Sequence, residues 1–313
     1  MSWSSSDARH NVRKGRLYAA ISAVAWATTG LIQRDVHAGT ATQVAGRSFF
    51  AFVAITLYVV AVEKRKSISG WRAIGPAGGI AALLIAIASA LFIIALNHTS
   101  VAGVLMISAC APVLAGALGW ALLKERVGKR TLIAMTAAVA GVIVMVNGGG
   151  GNWIGDGAAL LMTIAYASHV IVVRRHREIS LAPAAALAQA LVVVAALPFV
   201  AASISFRDVG LLAILGAGSM GIGMSFLILA ARLIRPAELT LIMLLEVVLG
   251  PVFVWLAYSE QPTNSTFAGG SVVLAAVLLQ VFDRSSFVNA TSQEQPLGIG
   301  ALARYVVRSG ESG

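Results

Sequence analysis

Residues 113–125 read VLAGALGWALLKE, and residues 248–260 read VLGPVFVWLAYSE. The two segments share their first two residues, a tryptophan in the middle and a final glutamate. A second match joins AWAT at residues 25–28 to AYAS at residues 165–168. Because the matches fall in the same order in the two halves of the chain, they indicate an internal duplication. If each half crosses a membrane an odd number of times, the halves must be inverted relative to each other.

The composition predicts an integral membrane protein. The 313 residues are 58% hydrophobic and 12% charged, with a mean hydropathy of +0.85. That is more apolar surface than a soluble fold can bury. The first 14 residues are polar and basic, and the apolar stretch after them lacks a cleavage site, so it is expected to stay as the first span. Cys110 is the only cysteine. It excludes an intrachain disulfide and is interpreted as a small core residue.

Ten apolar segments approach the length of about 20 residues that a membrane-spanning helix needs. They are residues 17–33, 40–62, 73–96, 101–123, 132–147, 155–173, 181–203, 209–231, 236–258 and 267–282. The predicted fold class is therefore an all-α integral membrane protein, with ten transmembrane helices in two inverted five-helix repeats.

The basic residues predict the orientation. Of the 23 lysines and arginines, all but Arg34, Arg47 and Arg207 fall on the side of the termini. The chain carries a formal charge of +10, but its placement in short loops indicates membrane orientation rather than nucleic-acid binding. Both termini are expected in the cytoplasm, and Glu125 and Glu260 at opposite membrane faces.

Five regions follow from this orientation. They are a cytoplasmic N-terminal segment (1–14), a first repeat (15–147), an external glycine-rich connector (148–154), a second repeat (155–284) and a cytoplasmic polar tail (285–313). The glycine run at 148–151 marks the flexible boundary between the repeats.

Several positions resemble one family. Pro112 in span four is followed by an apolar run to Lys-Glu-Arg at residues 124–126. Arg47 lies early in span two, Gly141 in span five, and Gly-Asp at residues 155–156 opens span six. In this order the chain resembles EamA-type members of the drug/metabolite transporter superfamily over about residues 15–285. The resemblance implies a multi-pass transporter of the bacterial inner membrane.

One position departs from that pattern. Such families usually carry Glu-Pro midway through span nine, where this chain reads Glu246-Val247 and has its proline at Pro251. Proline removes a backbone hydrogen bond to the preceding turn, so the bend is expected nearer the outer end. Pro112 and Pro251 are candidate hinges at two gates, with rigid packing as the alternative.

Two ionisable residues inside spans are candidates for substrate contact, since such groups are costly in a bilayer and usually face an interior cavity. Glu246 either binds a substrate ammonium or carries a proton, or it is a neutral acid bonded to a neighbouring helix. Arg47 either receives a substrate carboxylate through its planar fork, or it ties helices together or reaches the outer interface. We favour the second interpretation of Arg47.

Aromatic and polar residues complete the candidate pathway. Trp26 and Tyr166 occupy equivalent positions in the two repeats, and each lies one turn before a polar residue, Thr29 or His169. Aromatic rings so placed can stack on apolar substrate groups. His169 either titrates in the cavity or, as we favour, bonds a backbone carbonyl. Gln189, roughly equivalent to Arg47, adds a polar contact or packs.

The function expected from the repeats, the short loops and the resemblance is a secondary transporter that exports small metabolites, most simply amino acids or related amphipathic compounds. No Walker sequence occurs, so ATP does not drive transport within this chain. No span holds paired carboxylates or a His-Glu-x-x-His run, so no catalytic residues, metal ligands or cofactor are expected. A carrier of another metabolite class, such as sugar phosphates or nucleotide sugars, is the first alternative, and an intramembrane enzyme acting on lipid or peptide is the less favoured second. Coupling to protons, oligomeric state and flux direction stay open.

Overall fold

The computed structural model describes residues 5–63, 71, 74–123, 129–147, 152–176, 179, 181–200, 204–234 and 236–281. Every regular element in these ranges is a helix. The α-helices are α1 (Ser5–Gln33), α2 (Thr40–Glu63), α3 (Gly75–His98), α4 (Val101–Ser108), α5 (Ala111–Leu123), α6 (Lys129–Asn147), α7 (Trp153–Arg175), α8 (Leu181–Ala196), α9 (Phe206–Ala213), α10 (Gly223–Ala231), α11 (Pro236–Tyr258) and α12 (Asn264–Val281). A 3₁₀ turn, Leu197–Phe199, follows α8, and a π-helix, Ile214–Ile222, joins α9 to α10.

Several helices have the length and the apolar composition of membrane spans. Seven segments of the described chain are long and apolar enough to cross a membrane: Thr40–Ala61, Gly75–His98, Val101–Leu122, Trp153–Arg175, Leu181–Phe199, Phe206–Ala231 and Glu238–Tyr258. Two further apolar helices, Leu132–Val146 and Asn264–Leu279, are shorter. Large apolar side chains such as Leu57 and Leu256 stay exposed, as lipid contact requires. The prediction of an all-helical, multi-pass membrane protein is confirmed.

The fourth predicted span is one apolar segment built from two helices. α4 ends at Ser108 and α5 begins at Ala111. Pro112 has no N–H to offer the Ser108 carbonyl, so a continuous helix would lose that bond. The chain closes a tighter turn instead, in which the Cys110 N–H donates to the Ile107 carbonyl at 3.1 Å. By contrast, α11 runs through Pro251 without interruption.

The eighth predicted span contains the π-helix, whose wider turn brings glycines against neighbouring helices. A Cβ atom built on Gly216 would overlap the Arg47 carbonyl oxygen and lie 2.7 Å from Phe50 Cβ. One built on Gly223 would overlap the indole of Trp26. Glycine is the residue that permits such backbone approach, so these two positions set how closely the π-helix and α10 pack on α2 and α1.

The helices pack in a defined set of pairs. α1 packs against α10, α11 and the π-helix; α2 against α8 and the π-helix; α3 against α7 and α8; and α6 against α12. The two halves of span four, α4 and α5, pack against α7, and α4 also contacts α11 and α12. Chain segments from the first and second halves therefore interleave throughout the bundle.

Several expected features lie outside the described residues. They are the glycine run at 148–151, Glu125 with its neighbours at 124 and 126, the first four residues and the polar tail.

Candidate functional site

Glu246 lies midway along α11 on the face turned into the bundle. Leu245 and Val248 point outwards and are 43% and 51% exposed. Gly250 is buried, and a Cβ there would overlap the Leu105 side chain of α4. Residues one turn apart share a helix face, so Glu246 faces inwards like Gly250. It is partly buried, and no described residue forms a hydrogen bond or an ion pair with its carboxylate.

Tyr166 lies on α7, one turn before His169. The Glu246 carboxylate lies close enough to the Tyr166 hydroxyl to interact with it electrostatically. The Tyr166 ring stacks against His169, with ring centroids 6.2 Å apart and an interplanar angle of 27°. His169 donates from Nδ1 to the Ala81 carbonyl of α3 at 3.0 Å. This is the contact that a packing role for His169 requires, and it orients the stacked tyrosine.

Trp26 and Thr29 lie on α1, at the part of the bundle where α1 packs on α10 and the π-helix. Thr29 is 3% exposed. The Trp26 indole packs on Gly223, and its buried Nε1–H has no hydrogen-bond partner among the described residues. Two hydrogen bonds hold this contact: Ser22 Oγ donates to the Gly223 carbonyl at 2.8 Å, and Thr28 Oγ1 bonds Ser219 Oγ at 3.2 Å.

A second polar group forms around Arg47, and we call it the Arg47 cluster: Arg47, Ser89, Gln189, Met220 and Phe92. Arg47 Nη1 donates to Ser89 Oγ at 3.1 Å, and Ser89 Oγ donates to Gln189 Oε1 at 3.4 Å. Arg47 Nη2 lies 3.6 Å from Met220 Sδ, and the guanidinium lies 5.6 Å from the centre of the Phe92 ring. Arg47 is 5% exposed, so it points into the bundle rather than out to an interface.

Sequence reasoning placed Arg47 and Gln189 at corresponding positions but missed Ser89, which joins them. Ser89 is the single hydroxyl residue within the apolar run of α3, and that isolation was the signal available. Met220 carried no signal, because a methionine in an apolar helix is ordinary packing material.

A third polar group closes the bundle at the carboxyl end of α1. Arg34 donates to both carboxylate oxygens of Glu260, from Nε at 2.9 Å and from Nη2 at 3.1 Å. Its Nη1 donates to the Leu96 carbonyl at 3.0 Å, and the Val101 N–H donates to Glu260 Oε1 at 3.1 Å. The pair therefore ties α1, the end of α3, the start of α4 and the segment after α11.

This ion pair borders an open, polar pocket of about 410 Å³, lined also by Asn97, Thr99 and Gln261. Beside it, Gln33 and Asn97 donate to Gln43 Oε1 at 2.6 and 2.5 Å. At the opposite end of the bundle, Arg16 of α1 bonds Glu238 of α11. In the described part of the chain, no three His, Cys, Asp or Glu side chains stand close enough to hold a metal ion.

Comparison with known proteins assigns part of the chain to a family. Residues 13–147 match the EamA-like transporter family. No curated protein is significantly similar to the chain in sequence. A crystal structure of another protein superposes with a TM-score of 0.57 at 16% identity, over 85% of this chain and 96% of that chain. At that identity the likeness concerns the fold alone.

Proposed function

We propose that the chain, whose residues 13–147 match the EamA-like transporter family, is a secondary transporter exporting amino acids or related amphipathic metabolites. The match to this family over residues 13–147 supports a membrane transporter of the drug/metabolite type. The observation that carries the finer proposal is Glu246, a carboxylate without a described partner inside an apolar bundle. An ionisable group in that position usually serves a substrate or a proton.

The proposed path runs past residues of both halves of the chain. Trp26, Thr29 and Tyr166 line it, and Glu246 binds a substrate ammonium or carries a coupled proton. The electrostatic interaction between Glu246 and Tyr166 supports this arrangement, as does the indole N–H of Trp26, which has no hydrogen-bond partner among the described residues. Pro112 and Pro251 are the proposed hinges. A carrier of phosphorylated sugars is less well supported, because the Arg47 cluster has a single cationic residue.

We propose ten spans in two inverted repeats, with α4–α5 counted as span four and α9 to α10 as span eight. The packing pairs support this. In two five-span repeats, each span corresponds to the span five positions away. The contact between spans one and nine therefore corresponds to the contact between spans six and four. The same correspondence relates spans one and eight to spans six and three, and spans two and eight to spans seven and three. A two-fold axis in the membrane plane produces such pairs.

The proposed orientation places the Arg34–Glu260 pair outside, in a bacterial inner membrane with cytoplasmic termini. The excess of lysine and arginine on the other side supports it. In alternating access, a site opens to one side while a gate closes the other. The Arg34–Glu260 pair, which joins four segments, is the proposed outer gate in its closed state.

Replacing either gate residue should loosen this end. Arg34→Gln and Glu260→Gln each remove a charge-assisted, two-point bond worth about 1.5–3 kcal/mol. We expect amide hydrogen exchange at residues 99–103, in protein held in nanodiscs, to speed up about tenfold or more. Arg207→Gln is the matched control, because it removes an exposed arginine that pairs with Asp35 at 3.4 Å. Equal exchange in all three variants and the wild type would contradict the gate.

Transport itself is tested in proteoliposomes. Vesicles loaded with a mixture of the twenty amino acids should release particular members of it faster than protein-free vesicles, and an imposed pH gradient should change the rate if protons are coupled. The measurement is the amino-acid content of the external medium over time. The proposed substrate class is wrong if no amino acid leaves faster under either direction of the pH gradient or of a membrane potential.

A further inference from the structure

We propose that the Arg47 cluster is a carboxylate-binding site, in which Arg47, Ser89 and Gln189 hold the carboxylate of the transported metabolite. The inference rests on the proposed function and deepens it, because it names the chemical group that the site requires. The amino-acid proposal above depends on Glu246, whereas this one depends on a separate group of residues on α2, α3 and α8.

Arg47 places a positive charge inside the bundle. An arginine inside a membrane-spanning helix is costly and usually faces the interior of the protein. Buried arginines usually recover that cost by pairing with an acid. In the described ranges, however, the contacts of Arg47 are neutral: a serine hydroxyl, a thioether sulfur and an aromatic face. The guanidinium is therefore a buried positive charge that an anionic ligand would neutralise.

The Arg47 cluster also contains hydrogen-bond donors that are not used. Two buried polar atoms of the cluster have no hydrogen-bond partner in the described chain, Arg47 Nε and Gln189 Nε2. Both are N–H donors. Ser89 donates its proton to Gln189 Oε1, which fixes the glutamine with its amide nitrogen free. Unused hydrogen-bond donors around the positively charged guanidinium favour binding of an anion over binding of a cation or a metal ion.

Among anions, a carboxylate matches the Arg47 side chain best. The planar guanidinium matches the two oxygens of a carboxylate. One of its nitrogens now faces only Met220 Sδ at 3.6 Å, a weak acceptor that a carboxylate oxygen would outcompete. A single arginine balances the single charge of a carboxylate, whereas a phosphate dianion would leave one charge unpaired.

Neighbouring groups hold the Arg47 guanidinium in position. The Phe92 ring lies beneath the guanidinium, and a cation–π contact of this kind holds its plane. The π-helix supplies Met220, and Gly216 brings the same turn onto the α2 backbone. π-Helical turns often occur at functional sites. Since Arg47 is 5% exposed, the site is closed in this state and is reached when a gate opens.

The test uses a matched pair of ligands that differ only in the acid. We measure the melting temperature of the purified full-length protein with 4-methylpentanoate and with 4-methylpentanamide. The acid should stabilise the wild type by about 4 °C at a concentration near 100 times its Kd, and the amide should not. Arg47→Gln should remove the shift, Arg47→Lys should keep part of it, and Arg207→Gln should keep all of it.

Three results would overturn the site. The first is an equal shift in melting temperature with the acid and the amide in the wild type. The second is an acid shift in Arg47→Gln as large as that in the wild type. The third is a shift with sodium chloride that depends on Arg47 and equals the acid shift, which would make the cluster a site for small inorganic anions. If Arg47→Gln does not fold, the comparison of acid and amide in the wild type and in Arg47→Lys decides.

The transport assay separates this inference from the proposed function. An acid-specific shift without amino-acid flux would remove the proposed function and leave the site. Amino-acid flux without an acid-specific shift would remove the carboxylate site and leave the proposed function.

Discussion

Glu246→Gln should abolish the response of transport to a pH gradient and lower the flux by roughly thirtyfold or more. Glutamine preserves the size of the side chain but neither binds a proton reversibly nor attracts an ammonium group. Losing one partner of a buried charge pair, here that of Glu246 with the proposed substrate ammonium, costs about 2 kcal/mol or more, which corresponds to that factor. The expected loss is large because Glu246 is the group that binds the ammonium or the proton on the proposed path.

The matched control lies on the same helix. Glu238→Gln removes a carboxylate at the start of α11 that bonds Arg16 at the end of the bundle, far along the helix from Glu246. Flux of wild type, Glu246→Gln and Glu238→Gln is measured in proteoliposomes with and without a pH gradient. Unchanged rates and an unchanged pH response in Glu246→Gln would return Glu246 to a structural role, as a neutral acid between helices.

The positions of the helices were predictable because the property that specifies them is local. A lipid-embedded chain must satisfy its backbone hydrogen bonds within each segment, so an apolar run of sufficient length predicts a helix by itself. The segments predicted at 40–62 and 236–258 begin at the first residues of α2 and α11. The π-helix at Ile214–Ile222 was not predictable, because it depends on how Gly216 meets the backbone of α2.

The candidate site was predictable residue by residue but not as a set of contacts. Ionisable groups in apolar spans pointed to Arg47 and Glu246 without any knowledge of packing. Which residues meet them depends on the rotation of each helix about its axis, and a uniformly apolar helix carries little pattern to specify that rotation. For this reason the link from Arg47 through Ser89 to Gln189 appeared only with the structure.

Gly216→Val should be among the most destabilising single substitutions in the bundle. The first added carbon would overlap the Arg47 carbonyl oxygen and would stand 2.7 Å from Phe50 Cβ and 2.9 Å from the Ala51 nitrogen. Two of these three contacts are with backbone, which cannot rotate away, so α2 itself would have to move. Overpacking of a rigid site costs about 1–3 kcal/mol and sometimes more. We expect the upper end of this range and a fall of about 5 °C in melting temperature.

The control is two residues away in the same π-helix. A Cβ on Gly218 would meet only Ile214 Cγ2, at 3.7 Å, which is an ordinary van der Waals distance. Gly218→Ala should therefore leave the melting temperature unchanged or raise it slightly, because alanine restricts the unfolded chain more than glycine does. Gly216→Ala should lower it, by less than Gly216→Val. Because the shift of α2 would carry Arg47 with it, the Gly216 variants should also weaken the stabilisation by 4-methylpentanoate. Equal melting temperatures for Gly216→Ala and Gly218→Ala would mean that the π-helix does not pack against α2 through Gly216.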